Sequence, residues 1–273
     1  MTKISVVSTF HAPVLDLYGQ RFVDSFSKNI DPKIELILYA EDCVPSTDDS
    51  RITVLDQKTH LSKLVQFKQR WKGVPKANGI PPAEIKKRRP RDHHKAFKWD
   101  AVRFANKVYA VFDAAQRTDA DWIVWMDADT YCHTYFPYDK FASFFPSNSW
   151  MSYLGRGKKW PECGFYGINL KNKIGLEFLK EFERVYEQAD TGIFQMEEWH
   201  DSFVFEEVRK TIMSQYPKSS VHNISGNLVN GEGHPLINTD LGKYLDHLKG
   251  DRKQAGKSKQ KDLIVDRQES YWK

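Results

Sequence analysis

Five consecutive apolar residues, Trp122 to Met126 (WIVWM), stop abruptly at the polar turn Asp127-Ala128-Asp129-Thr130. An apolar run of this length without alternation describes a strand buried on both faces, and such strands belong to parallel sheets covered by helices. The upstream sequence repeats the theme. Residues 4–8, 34–40 and 52–55 are further short apolar runs. Between them Pro13 opens a helical pattern with Val14, Leu17, Tyr18, Phe22 and Phe26 on one face. Residues 61–71 place Leu61, Leu64 and Phe67 at helical spacing, and residues 94–117 do the same with Phe97, Ala101, Phe104, Val108 and Val111. Strands at 150–154 and 165–170 and helices at 175–188 and 198–213 complete the reading. The alternation predicts an α/β fold: one Rossmann-like domain with a mostly parallel central sheet flanked by helices.

Composition narrows the class. The chain has 273 residues, 40% of them hydrophobic, enough for one large core, and no repeat of solenoid period. Its 41 Lys+Arg against 36 Asp+Glu leave a net charge of +5, which permits an anionic partner without demanding one. No apolar run approaches the roughly 20 residues of a membrane span. Cys43, Cys132 and Cys163 are odd in number and widely spaced, so neither a metal knuckle nor a disulfide scaffold is expected. A soluble, cytoplasmic protein is the simplest expectation. Residues 73–91, with six Gly or Pro breakers and the run Lys86-Lys87-Arg88-Arg89, read as a surface loop.

The acidic pair after Met126 falls where open α/β sheets bind ligands, at the carboxyl end of a strand. Two carboxylates on a tight turn offer hard oxygen ligands to a divalent cation and leave positions for phosphate oxygens. A capping or turn role is the plain alternative. Two sharper readings compete: an aspartyl-nucleophile phosphatase of the haloacid-dehalogenase kind, and a sugar-nucleotide transferase holding Mn²⁺ or Mg²⁺ on a diphosphate. The phosphatase nucleophile normally sits on the first strand, whereas this pair follows the fourth apolar run. The transferase reading gains the segment His247-Leu248-Lys249-Gly250-Asp251-Arg252-Lys253, whose imidazole suits a transition metal and whose cations suit phosphate.

With these elements in place the chain resembles the metal-dependent glycosyltransferases of the GT-A fold. Val7-Ser8-Thr9-Phe10-His11 looks like their nucleoside-cradling segment, and Asp100-Ala101-Val102-Arg103 is similar to their Asp-x-x-Arg helix. Gly164-Phe165-Tyr166-Gly167-Ile168-Asn169-Leu170 and His247-x-Lys249-Gly250 resemble segments of glycogenin-like and galactosyltransferase-like members. Two departures stand out. Glu162-Cys163 precedes Gly164 where those members have Asn, and His200-Asp201-Ser202 occupies the neighbourhood of their Asp-Gln pair.

The resemblance implies a nucleoside-diphosphate sugar donor, such as a UDP-sugar, and a manganese (or magnesium) ion held by Asp127, Asp129 and His247. Thr9, Phe10, Asp100, Arg103, Asp127, Lys249, Arg252 and Lys253 would meet the donor. Glu41 and Asp42, ending the second strand, would accept hydrogen bonds from ribose or base, or simply make a turn. Asp201, with Glu198 behind it, would be the base that deprotonates the acceptor hydroxyl; an N-terminal helix cap is the alternative. The acceptor would be a glycan, a lipid-linked or another hydroxyl compound, polyanions included; a non-catalytic protein that binds sugar nucleotides or glycans is the remaining alternative. The transferase domain would span 1–250, with 1–126 the nucleotide half and 127–250 the metal and acceptor half. Residues 251–273 would form a basic, loosely packed tail.

Overall fold

Strand β4 (Trp122–Met126) is the axis of the molecule, and none of its five side chains is more than 2% exposed. The computed structural model describes residues 1–80, 83, 97–226, 228 and 234–273. Successive β4 side chains alternate between two cores: Trp122, Val124 and Met126 enter one cluster, Ile123 and Trp125 the other. At roughly 1.5–3 kcal/mol for each large apolar side chain buried, this one strand anchors both layers.

Around it runs a seven-stranded sheet in the order β3-β2-β1-β4-β7-β6-β8. Strands β1 (Ile4–His11), β2 (Glu35–Glu41) and β3 (Ile52–Asp56) are parallel to their neighbours and to β4. Strand β7 (Lys159–Asn169) then pairs antiparallel with both β4 and β6 (Met151–Arg156), and β8 (Val221–Asn223) closes the edge parallel to β6. A separate two-stranded ladder joins β5 (Thr130–Cys132) to β9 (Leu245–His247), antiparallel, with Thr130 opposite His247.

Helices α2 (Ser62–Trp71), α3 (Ala101–Arg117), α4 (Lys173–Glu187) and α5 (Asp201–Gln215) contribute Leu64, Phe67, Val108, Phe112, Phe178, Phe182, Val204 and Val208 to one cluster. Helix α1 (Gln20–Asn29) supplies Phe22 and Phe26 to the other. The α/β class expected from the sequence is therefore the observed one, and the strands and helices foreseen occur within a few residues of their expected places.

Three details differ. The segment opened by Pro13 first makes a 3₁₀ turn and a π-helical turn before α1, and Leu17 is 40% exposed. Phe97 lies outside α3, in a 3₁₀ turn, and is 42% exposed; the helix proper starts behind the Asp100 cap, which accepts from Arg103 N at 3.3 Å. The basic run 86–89, most of the loop expected at 73–91 and the first residues of the helix expected at 94–117 lie outside the described residues. Residues 251–273 are held more closely than their composition suggests. Trp272 is 5% exposed and donates to Gly242 O at 2.7 Å, Tyr271 stacks on His133 at 3.9 Å, and Ser258 donates to Asp246 at 2.6 Å. Aromatic residues at the end of a polar stretch supply the buried area that the stretch itself lacks. Among the described residues no helix is long and apolar enough to cross a membrane, and all three cysteines are free.

Candidate active site

Backbone pairing with β7 runs one residue past β4, where Asp127 N donates to Gly164 O at 2.9 Å, and Thr130 N then closes the polar turn onto Asp127 O at 3.0 Å. This turn points Asp127 and Asp129 into a cavity of about 550 Å³, the size of a small-ligand site. The ends of β1 and β2, the π-helical turn before α1 and the start of α3 supply the other walls: Thr9, Phe10, Tyr18, Glu41, Asp100 and Arg103. Lys253 enters from the C-terminal segment.

The β5–β9 ladder brings His247 to the acidic pair. Its Nε2 lies 2.9 Å from Asp129 Oδ1 and 3.4 Å from Asp127 Oδ2. The three residues each offer a ligand atom within 4.8 Å of one another. Burial disfavours charge on all three, but mutual attraction prevails. Asp127 is held well below the usual carboxylate range by Lys107 and His247, and Asp129 is lowered by His247, helped by Lys253. The two carboxylates raise His247 to about 9 against its own desolvation. Gly164 makes the approach possible, since a Cβ there would stand 2.4 Å from His247 Cε1.

The sequence reading missed Lys107. It sits in the middle of α3, its side chain buried, with Nζ 2.8 Å from Asp127 Oδ1, 2.6 Å from Asp201 Oδ2 and 2.7 Å from Cys163 O. Its charge survives burial because two carboxylates face it, which raises its pKa well above the ordinary value. Trp125 Nε1 also donates to Asp127 Oδ1, at 2.7 Å. Asp127 is thus fixed in one orientation by three elements. A lysine at helical spacing from Phe104, Ala110 and Val111 was the available signal.

The remaining expected residues divide. Thr9, Phe10, Glu41, Asp100, Arg103 and Lys253 line the cavity with the acidic pair. Thr9 Oγ1 donates to Tyr39 O and accepts from Gln57, both at 2.7 Å; Glu41 is paired with Lys68 at 2.6 Å; Lys253 is 2.9 Å from Asp129 Oδ2. Asp42 does not line it: with φ at 58°, it turns outward to Lys58 at 2.6 Å. Lys249 is paired with Glu162, and Arg252 with Asp262, where Nε to Oδ2 is 2.7 Å. Asp201 opens α5 as expected, but its carboxylate lies beneath Lys107 and is absent from the cavity wall. Glu198 is buried between Lys98 and His200, the latter at 2.9 Å, and is likewise off the wall. His200, with Nδ1 3.4 Å from Phe203 N, takes the capping place at α5.

No protein-family model matches the chain. No curated protein matches it either. Solved structures do. The chain is similar to mouse xyloside xylosyltransferase 1 in its apo form, with 12% identity over 81% of this chain and 84% of that one and a TM-score of 0.42. A glycosyltransferase involved in glycosylating the major capsid of PBCV-1 gives 12% identity, 92% and 97% coverage and a TM-score of 0.43. The glycosyltransferase GlyE of Streptococcus pneumoniae TIGR4 gives 11% identity and a TM-score of 0.42; 82% of this chain aligns with 46% of GlyE, about half its length.

Proposed function

We propose that the protein is a metal-dependent glycosyltransferase that moves a sugar from a nucleoside-diphosphate sugar to an acceptor hydroxyl. The observation that carries this reading is the meeting of Asp127 and Asp129, which line the cavity, with the buried His247, the imidazole arriving from 118 residues along the chain. Two hard carboxylates and one borderline imidazole suit Mn²⁺, with Mg²⁺ second because nitrogen ligands favour the transition metal. An ion held there supplies Lewis-acid neutralisation of a departing diphosphate.

The rest is the work of the chain's own residues. Phe10 offers an apolar wall and Glu41 an acceptor for ribose hydroxyls at the nucleoside end of the cavity. Arg103 and Lys253 put positive charge beside the acidic pair, where phosphate oxygens would lie. Lys107 holds Asp127 ionised and in place before any ligand arrives, which is preorganisation of the kind that lowers barriers at no cost during reaction. Asp201 and Glu198, being off the cavity wall, are not assigned the base role; Asp201 is a positioning residue acting through Lys107. Lys249 and Arg252, engaged by Glu162 and Asp262, are second-rank phosphate ligands.

Support over the phosphatase reading comes from Asp127 itself. An aspartyl nucleophile needs a free oxygen, whereas Oδ1 here takes both Lys107 and Trp125 and Oδ2 faces His247. The test is a screen of UDP-sugars and other nucleotide sugars against EDTA-treated protein. Mn²⁺-dependent release of nucleoside diphosphate, lost in Asp129→Ala, is expected. Release of inorganic phosphate, or full activity in EDTA, would overturn the assignment.

A further inference from the structure

On the far side of His247 lies a second group of ligand-type side chains. Glu162, His234 and His247 each offer a ligand atom within 4.8 Å of one another. The rings of His234 and His247 are 4.8 Å apart at 69°, edge to face. Their chemistry is unsatisfied in a specific way. Among the described residues, both ring nitrogens of His234 and the Nδ1 of His247 are buried without a hydrogen-bond partner. Orphaned buried nitrogens of this kind are costly, and three in one place ask for a shared occupant.

The two faces of the His247 ring are distinct. Its Nε2 meets Asp129 Oδ1 at 2.9 Å. Its Nδ1 looks toward Gly164, where a Cβ would fall 2.8 Å from Nδ1 and 3.2 Å from Glu162 Oε1. The glycine therefore leaves open a small cradle between an imidazole nitrogen and a carboxylate oxygen. Glu162 is 6% exposed and keeps Lys249 on Oε2, with Arg156 at 3.9 Å; Oε1 carries only the long 3.2 Å contact from Gly164 N. An imidazole that donates Nε2–H to a carboxylate offers its Nδ1 lone pair to a metal that displaces the Nδ1 proton, which is the usual carboxylate–histidine–metal arrangement.

We infer that Glu162, His234 and His247 form a second metal site, built for a borderline transition metal of the Zn²⁺ type. Two imidazoles and one carboxylate are the donor set of an open zinc site, with a fourth position left for water or a substrate atom. Asp129 then serves as the carboxylate that orients His247. A neutral imidazole has one lone pair, so an ion on Nδ1 and an ion on Nε2 compete for His247. Zn²⁺ at the new site and Mn²⁺ at the acidic pair are therefore alternatives, and the loading of one is a brake on the other. This inference does not depend on the transferase reading, because it rests on the unpartnered nitrogens alone.

The test uses the full chain, stripped of metal and loaded with one equivalent of Zn²⁺. X-ray absorption at the zinc edge should show two imidazoles in the first coordination shell. Calorimetry should show His234→Gln and Glu162→Gln each weakening Zn²⁺ binding by at least about ten-fold, with circular dichroism verifying the fold. A first shell containing a single imidazole, no binding of Zn²⁺, or unchanged affinity in a folded variant of either kind would overturn the inference. Should one variant fail to fold, the other and the absorption spectrum of the unaltered chain decide.

Discussion

Lys107 Nζ lies 2.6 Å from Asp201 Oδ2 and 2.8 Å from Asp127 Oδ1, so one ammonium in the middle of a helix ties the acidic turn to the start of α5. All three groups are largely buried, with side-chain exposures of 11%, 9% and 22%. Removing one partner of such a group strands charge in a low-dielectric interior, which typically costs 3–5 kcal/mol.

Lys107→Met should accordingly lower the unfolding free energy by about 3–5 kcal/mol and weaken metal binding through the misplaced Asp127. Asp201→Asn added to it should restore part of the stability, because the stranded carboxylate is gone. Urea denaturation of the two single variants and the double variant measures this coupling. Additive losses would show that the pair acts as two independent groups.

Gly164→Ala tests the approach of His247. The added methyl would meet Cε1 at 2.4 Å in a strand whose neighbours cannot shift freely. Overpacking of this sort costs about 1–3 kcal/mol, and displacement of the imidazole should weaken Mn²⁺ affinity at least ten-fold. Mn²⁺ titration followed by electron spin resonance reads the second effect separately from the first.

Lys253 and Lys249 should differ. Lys253 lines the cavity beside Asp129, whereas Lys249 is spent on Glu162. Lys253→Ala should reduce nucleoside-diphosphate affinity by the worth of one charge-assisted contact, about 1.5–3 kcal/mol. Lys249→Ala should have the smaller effect. The reverse ranking in a calorimetric titration would move the phosphate site toward Glu162.

Acid should loosen the C-terminal segment. His133, stacked on Tyr271, is pushed down to about 4 by burial, which outweighs the nearby carboxylates of Asp246 and Glu269. The folded state therefore prefers the neutral ring, and the contribution is complete above the unfolded value near 6.5. It is lost as pH falls from 6.5 toward 4. The difference in Tm between the parent and His133→Gln should shrink across that window; a constant difference would take His133 out of the acid response.

The central fold was legible because β4 is apolar at all five positions, a pattern that only a strand covered on both faces tolerates. Leu61, Leu64 and Phe67 marked α2 for the same reason: periodicity reports burial directly. Partnerships are harder to read. Asp201 at a helix start has the same local sequence whether it faces an acceptor or a buried lysine, and the lysine comes 94 residues earlier. The apolar spacing around Lys107 marks it as buried, but its partners become visible only when β7 brings Cys163 O against it. Lys249 matched a motif by spacing, but its charge is claimed by Glu162, a residue on another strand. The packing of the last residues turned on Tyr271 and Trp272, two aromatics whose docking sites, His133 and Gly242, lie far back along the chain.

The ladder between β5 and β9 also sets an order in time. Asp127 and Asp129 leave the ribosome well before His247, and β1, β2, β3, β4, β6 and β7, which frame the acidic turn, can pair without β9, whereas β5 waits for it. Closing the long loop between Thr130 and His247 adds an entropic cost that grows only slowly with its length, so the step can come late without being prohibitive. A ribosome stalled before β9 would display two buried carboxylates with no imidazole opposite them. Under the proposed metal role, the ligand set of Asp127, Asp129 and His247 is complete only once β9 has docked on β5.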